Sequence, residues 1–358
     1  MPRGGAHFSS KELAEVLSRY DLGVIRQVKS LSAGNKRAPK MVVISERGQF
    51  LLKRRPKGKD DLYRVAFAHA VQTHLAKKAF PVTSLRATSD ENNTILQLNN
   101  HIYELFKFVS GARYDGSAEA TIDAGRQLAK FHQHLADFAC QWKPLRGSFH
   151  DSTTVRRYLK AIGTDGLDVA GRDLLPHLAQ GKSTGPKRKL QKTAEMLMDL
   201  YNSSTIRVNQ LGFDSWPEQV VHGDWHPGNM LFSDRKLSAV LDFDSVRIAP
   251  RATDLANGML QFSIVGDRPN PADWPAYLDQ AKLVQFLSGY REVIELSSSE
   301  FDSLLDLMIE TIIAEAVLPI ATTGFFGNLS GGDFLNMIQR KADWIDKNRD
   351  TLTEATQG

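Results

Sequence analysis

A single cysteine, Cys140, occurs in the 358 residues, which leaves no partner for an internal disulfide and fits a reducing compartment. No apolar run approaches the ~20 residues of a membrane helix, and no internal repeat or low-complexity tract is present. The opening stretch, MPRGGAHFSSKELAEVL, lacks an apolar segment followed by a small-residue cleavage site. These absences predict a cytoplasmic globular chain with no membrane span. What is present is ordinary in amount, 42% hydrophobic and 24% charged. Because single cores stop growing near ~250–300 residues, the length suits two lobes.

Net charge is only +4, but residues 1–110 hold 19 Lys/Arg against 9 Asp/Glu, while residues 255–330 hold 3 against 10. A basic N-terminal part can attract nucleic acid or the phosphates of a nucleotide, and charge alone does not choose between them.

SSKELAEVLSRY (9–20) has serine caps and Leu13, Val16 and Leu17 at helical spacing, so a short amphipathic helix is expected there. The period then changes. VIRQVKSLSAGNKRAPKMVVISERGQFLLKRRP reads as three antiparallel strands, a helix follows over about 60–79, and two more strands are expected around the turn SDENN. Beyond SGARYDGS the pattern is helical, including AEATIDAGRQLAKFHQHLADF, with an exposed connection expected at 181–188. About four helices are expected over 252–350. The fold class is therefore α+β, a sheet with one helix followed by a mostly helical part. Boundaries are expected at 1–108 for the first lobe and 109–358 for the second.

The informative stretch is HGDWHPGN (222–229), set between the apolar runs QVVHGD and LSAVLDFD. His222-Gly-Asp224, then Asn229 after four intervening residues, then Asp242 behind an apolar run, is the order of a kinase catalytic loop and its metal-binding aspartate. Phosphoryl transfer leaves the protein little covalent work. It must align a hydroxyl with phosphorus and neutralise phosphate charge with Mg²⁺. Hard Mg²⁺ takes oxygen ligands, which Asn229 and Asp242 offer. Asp224 is then the group that holds the acceptor hydroxyl and takes its proton, with His222 bracing the loop.

HGDWHPGNMLF and LDFDSVRIAPRATDLAN, with YELFKFVSGARYD and AGRQLAKFH, resemble the aminoglycoside phosphotransferase and choline kinase group, which also includes homoserine kinases and spore-coat or stress-response kinases. The resemblance covers most of residues 25–265 and implies a protein-kinase-like two-lobed fold, ATP and Mg²⁺. It implies Lys53 as the lysine touching the α- and β-phosphates, and LSAGNKRAP as the phosphate-covering loop, with Gly34 allowing close approach and Ser32 or Asn35 donating. Backbone around Glu104 to Phe106 is implied to meet the purine.

The family's helix glutamate is missing, because DDLYRVAFAHAVQTHLAKKAF offers His69 and Gln72 instead. A neutral His69 can accept from Lys53 but supplies no charge. Asp244 stands where protein kinases place glycine and is either a second metal contact or a polar loop residue. Asp254 is expected to cap the next helix or accept from loop amides.

For the acceptor, Asp302, Asp306 and Glu310 fall at i, i+4 and i+8, an acidic wall for a cationic substrate or else a solvated face. Trp225, beside Asp224, either flanks an acceptor by apolar or cation–π contact or packs the loop, and His226 is a candidate acceptor contact. The expected activity is transfer of the ATP γ-phosphoryl group to a hydroxyl of a small molecule, such as an amino alcohol, aminoglycoside or homoserine-like compound. A protein serine/threonine kinase and a silent nucleotide-binding scaffold are the alternatives. Nucleic acid and membrane partners are not expected.

Overall fold

The structure is a computed structural model describing residues 7–31, 38–167, 187–266 and 268–357. The expected connection at 181–188 lies largely outside the described residues. Two compact units are formed, one from Met1–Asp115, Gln133–Leu145 and Gly228–Val246, the other from Gly116–His132, Arg146–Pro227 and Arg247–Gly358. Among the described residues no helix is long and apolar enough to cross a membrane.

The first unit is built on a five-stranded sheet of order β1-β2-β3-β5-β4, from β1 (Ile25–Ser30), β2 (Lys40–Ser45), β3 (Gly48–Arg54), β4 (Leu96–Leu98) and β5 (His101–Lys107). Helix α1 (Ser10–Leu17) opens it with a capping box in which Ser9 and Glu12 satisfy each other's backbone N–H groups. Val16 and Leu17 of α1 pack with Val43, Phe50, Leu52, Tyr103 and Leu105 from one sheet face. Strand alternation then sends Lys53, Arg55 and Glu104 to the other face. Arg54 turns back toward α1, paired with Glu12 at 2.6 Å.

Helix α2 (Leu62–Lys77) starts at an Asp61 cap and buries Val65, Phe67, His69, Val71, Gln72 and Leu75 around most of its circumference. The second hairpin differs from expectation. Its turn is Asn99-Asn100, both left-handed at φ 49 and 59, which suits a two-residue type I′ connection. The segment before SDENN contributes only a bridge from Leu85 to Phe106. The same unit holds an antiparallel hairpin of Met230–Ser233 and Lys236–Val240.

The second unit is mainly helical. Most of α3 (Ala118–Leu135) crosses helix Gln280–Arg291 at two glycines, where a Cβ on Gly125 would come within 1.9 Å of the Phe286 carbonyl oxygen and one on Gly289 within 1.9 Å of that of Ile122. Only glycine allows that approach. Strands Glu218–Val221 and Arg247–Pro250 pair antiparallel and lead into helix Arg251–Ser263. Helices Ser298–Thr323 and Gly331–Lys347 bring the described helices over 252–350 to the expected four, and Arg349–Gln357 follows almost wholly beyond that range.

Candidate active site

In the first unit the sheet register sets Lys53 directly opposite Glu104. Lys53 Nζ lies 3.4 Å from Asp244 and 3.9 Å from both Glu104 and Asp242. Arg55 shares this face and binds Glu104 and Asp244, each at 2.9 Å. Glu104 is 1% exposed and also accepts from His69 Nε2 at 2.7 Å, while His69 Nδ1 meets the Thr94 hydroxyl at 2.8 Å. Burial pushes the Glu104 carboxyl up, but the His69 hydrogen bond and the charges of Arg55 and Lys53 outweigh it and hold the group well below the usual carboxylate range.

His69 therefore reaches Lys53 only through Glu104. The missing helix acid is supplied from β5, and His69 ties the helix to it. Glu104 and Phe106 accordingly do not offer the expected base contact. Their strand is paired with Lys53 and Leu51 on one side, while the Leu105 carbonyl accepts from the Arg86 N–H and the Lys107 N–H donates to Ser84 on the other. Ser32, Gly34 and Asn35 lie outside the described residues.

The hairpin brings Asn229 and Asp242 to one end, because Met230 pairs with Val240 and the Leu241 N–H donates to the Asn229 carbonyl at 2.8 Å. Asn229 is nearly buried, and Asp242 is left-handed at φ 55 with its carboxylate 44% exposed. An aspartate in that region costs on the order of 1 kcal/mol or more, and such strain is tolerated mainly where the side chain is needed.

In the second unit the loop carrying Asp224 is held from helix Arg251–Ser263. Asp254, fully buried in its first turn, accepts from the His222 N–H at 2.7 Å and the Gly223 N–H at 2.8 Å. It also faces His132 Nε2 at 3.1 Å, whose Nδ1 meets the Tyr290 hydroxyl. One turn later Asn257 accepts from the Trp225 N–H at 2.9 Å. Gly223, at φ 72, makes the turn between these anchors. Burial pushes Asp254 up, yet the bond and charge from His132 and the charge and amide of His222 prevail, so its carboxyl sits below the ordinary value.

The His222 ring is buried against Phe131 and Trp225, with centroids at 5.9 and 5.5 Å. Asp224 is partly exposed, with His226 Nε2 at 3.7 Å.

A sequence profile described as "Phosphotransferase enzyme family" matches residues 28–296. The chain belongs to this phosphotransferase family. It is similar to a homoserine kinase of Bradyrhizobium diazoefficiens, 24% identical over 341 residues covering 94% of this chain and 85% of that one. A homoserine kinase of Beijerinckia indica is 22% identical over 83% of this chain and 81% of its own. Among solved structures, a microcompartment-associated aminopropanol kinase shares the fold at TM-score 0.65 and 14% identity, covering 96% and 99% of the two chains. Amicoumacin kinase, solved with AMP-PNP, Ca²⁺ and Ami, does so at 0.64 and 12%, covering 95% and 94%.

Burial selects one of the two readings of Trp225 in this phosphotransferase, and the acidic wall is corrected. Trp225 is fully buried and packs the loop from behind, so it cannot flank a substrate. Asp302, Asp306 and Glu310 do not form one acidic wall. Asp302 is exposed, whereas Asp306 is 2% exposed and gripped by Arg207 at 2.9 Å and Arg349 at 2.6 Å. Glu310 is buried with His150 at 2.9 Å and Thr205 at 2.6 Å.

Sequence reasoning also missed a small cavity of about 30 Å³ lined in part by Gly223, Arg247, Asn257, His150 and Glu310. Its lining comes from five separate segments, which no local pattern reveals.

Proposed function

We propose that the chain transfers the γ-phosphoryl group of ATP to the hydroxyl of a small amine-bearing acceptor of the homoserine or amino alcohol kind. The observation that carries this reading is the hairpin end, where Asn229 and Asp242 stand together with Lys53 3.9 Å from the latter. A carboxylate and an amide oxygen are the hard donors that suit Mg²⁺, which keeps its other positions for phosphate oxygens and water. When bound, the metal would supply charge neutralisation on the transferring phosphate, with Asn229 and Asp242 as its protein ligands.

Lys53, anchored by Glu104 and Asp244, binds the α- and β-phosphate oxygens. Asp224 accepts the proton of the acceptor hydroxyl, and Asp254 with Asn257 fixes the backbone that presents it. The lobe of residues 1–108 takes the nucleotide and that of 109–358 the acceptor. A small acceptor is taken over a multi-ring aminoglycoside, and the cavity beside Gly223 and Arg247 has room for no more than one small polar group. The homoserine kinases similar to this chain support the same choice.

The silent-scaffold alternative loses its footing, since its basis was the absent helix acid and Glu104 supplies that charge. An ATP-consumption screen with Mg²⁺ against L-homoserine, 3-aminopropan-1-ol, sugars and aminoglycosides tests the proposal. Turnover is expected with the first two; turnover only with sugars, or with none, contradicts it.

A further inference from the structure

Helix Ser298–Thr323 carries five carboxylates, and four have an evident arrangement. Glu300 binds Arg251 at 2.7 Å, Asp306 binds Arg207 and Arg349, Glu310 binds His150, and Asp302 stands in solvent. Glu315 is different. Among the described residues the groups that act on it are Asp224, Asn257 and Gln261, with no Lys, Arg or His, although it is recessed and only partly accessible.

Two neutral side chains hold it instead. Asn257 Nδ2 donates to one oxygen at 2.8 Å and Gln261 Nε2 to the other at 2.6 Å. A carboxylate offers about four acceptor directions, so each oxygen retains capacity for a further donor. Asn257 is also the residue that anchors the Trp225 N–H, so a single side chain joins Glu315 to the backbone next to Asp224. A recessed carboxylate aimed by two amides and lacking a counter-charge is costly unless a cation arrives. Burial first, and then the charge of Asp224, pushes the Glu315 carboxyl up to about 8, the behaviour of an acid waiting for a positive partner.

We infer that Glu315 receives the ammonium group of the acceptor and thereby selects amine-bearing alcohols over their deaminated counterparts. The inference rests on the phosphotransferase reading above, in which Asp224 holds the acceptor hydroxyl. A primary ammonium has three donors, enough to reach the open lone pairs of Glu315 while a short carbon chain extends to Asp224. The residue determines specificity; it takes no part in bond making at phosphorus.

The test compares wild type, Glu315→Gln and Glu315→Asp with two matched pairs of probes, 3-aminopropan-1-ol against propan-1-ol and L-homoserine against 4-hydroxybutanoate. Wild type is expected to prefer the amine of at least one pair by about 100-fold in kcat/KM. Glu315→Gln should reduce that preference to about tenfold or less through the acceptor KM, with the KM for ATP unchanged, and Glu315→Asp should restore part of it. Turnover of amine and deaminated probes with equal efficiency by wild type, or an undiminished preference in Glu315→Gln, overturns the inference while leaving phosphotransfer intact.

Absence of ATP consumption with every acceptor instead overturns the phosphotransferase reading of the acceptor. Titration calorimetry of the two amine probes then decides the matter for Glu315. Binding lost in Glu315→Gln sustains the ammonium site, and binding absent in wild type or equal in both proteins removes it. Circular dichroism spectra that match across the three proteins separate specificity from misfolding.

Discussion

His69 Nε2 lies 2.7 Å from Glu104 Oε1, and by that bond helix α2 reaches the lysine of β3 without a glutamate of its own. The negative charge sits on a strand and the helix contributes only the donor that steadies it. The whole arrangement depends on register, since the residue opposite Lys53 in the sheet must be Glu104.

Glu104→Gln should therefore do more damage than His69→Ala. Removing one partner of a buried ion pair costs about 3–5 kcal/mol, whereas losing a hydrogen bond to a charged group costs about 1.5–3 kcal/mol. Urea unfolding of both variants checks the order. The ATP KM should rise more in Glu104→Gln as well; a larger effect from His69→Ala would place the anchor on the helix after all.

The pH dependence of stability has two parts of opposite sign. Glu104 and Asp254 are held below their unfolded values, so their contribution is complete above the unfolded carboxylate pKa of about 4 and is lost as pH falls toward the depressed folded values. Glu315 is raised to about 8, so between about pH 4 and 8 the unfolded chain gives up this proton first and stability declines with rising pH. Unfolding free energies from pH 3 to 9 should show a shallower acid loss in Glu104→Gln and Asp254→Asn. Glu315→Gln should show a smaller decline between about pH 4 and 8, and a steeper one would reverse the sign of its shift.

Asp254→Asn should slow catalysis without changing nucleotide affinity. The side chain touches no reacting atom in this account, but it fixes two amides of the loop that presents Asp224, and misplacement by about 1 Å can cost ~100-fold in rate. A kcat reduced by about that factor with an ATP KM within about threefold is expected from steady-state kinetics. A raised ATP KM with normal kcat would point to a different role.

Asp306→Asn should act on stability alone. Its buried carboxylate is shared by Arg207 and Arg349, which are only partly buried and both keep Asp346 as a partner, so the change removes hydrogen bonds to a charged group at a cost of about 1.5–3 kcal/mol. Asp302→Asn, at an exposed position, should change stability by less than about 0.5 kcal/mol. Acceptor KM should be the same in both, and a selective rise in Asp306→Asn would return that residue to the substrate.

Much of the fold was legible because its signals are local. The strand alternation of β2 and β3, the capped helices and the spacing of HGDWHPGN each occupy a few consecutive residues. The hairpin turn was misplaced because SDENN has the stronger polar composition, although Asn99-Asn100 has the left-handed geometry a tight hairpin needs.

What could not be read were partnerships across distance. Asp306 looked like part of an acidic stripe because Arg207 and Arg349 are 99 and 43 residues away, and Glu310 because His150 is 160 away. Glu104 was taken for a base-contacting backbone position on the resemblance alone, because YELFKF by itself shows only an apolar strand with two charges in it. Its role emerges when the register places it beside Lys53. Glu315 stood out only after the partners of its neighbours were known.

Phosphoryl transfer by Asp224→Asn, measured with radiolabelled ATP and the best acceptor from the screen, bears most directly on the central claim. The account predicts transfer reduced by at least about 100-fold, the lower range for loss of a general base, with Mg-ATP affinity preserved. Undiminished transfer by Asp224→Asn would contradict it and take the loop 222–229 out of the chemistry.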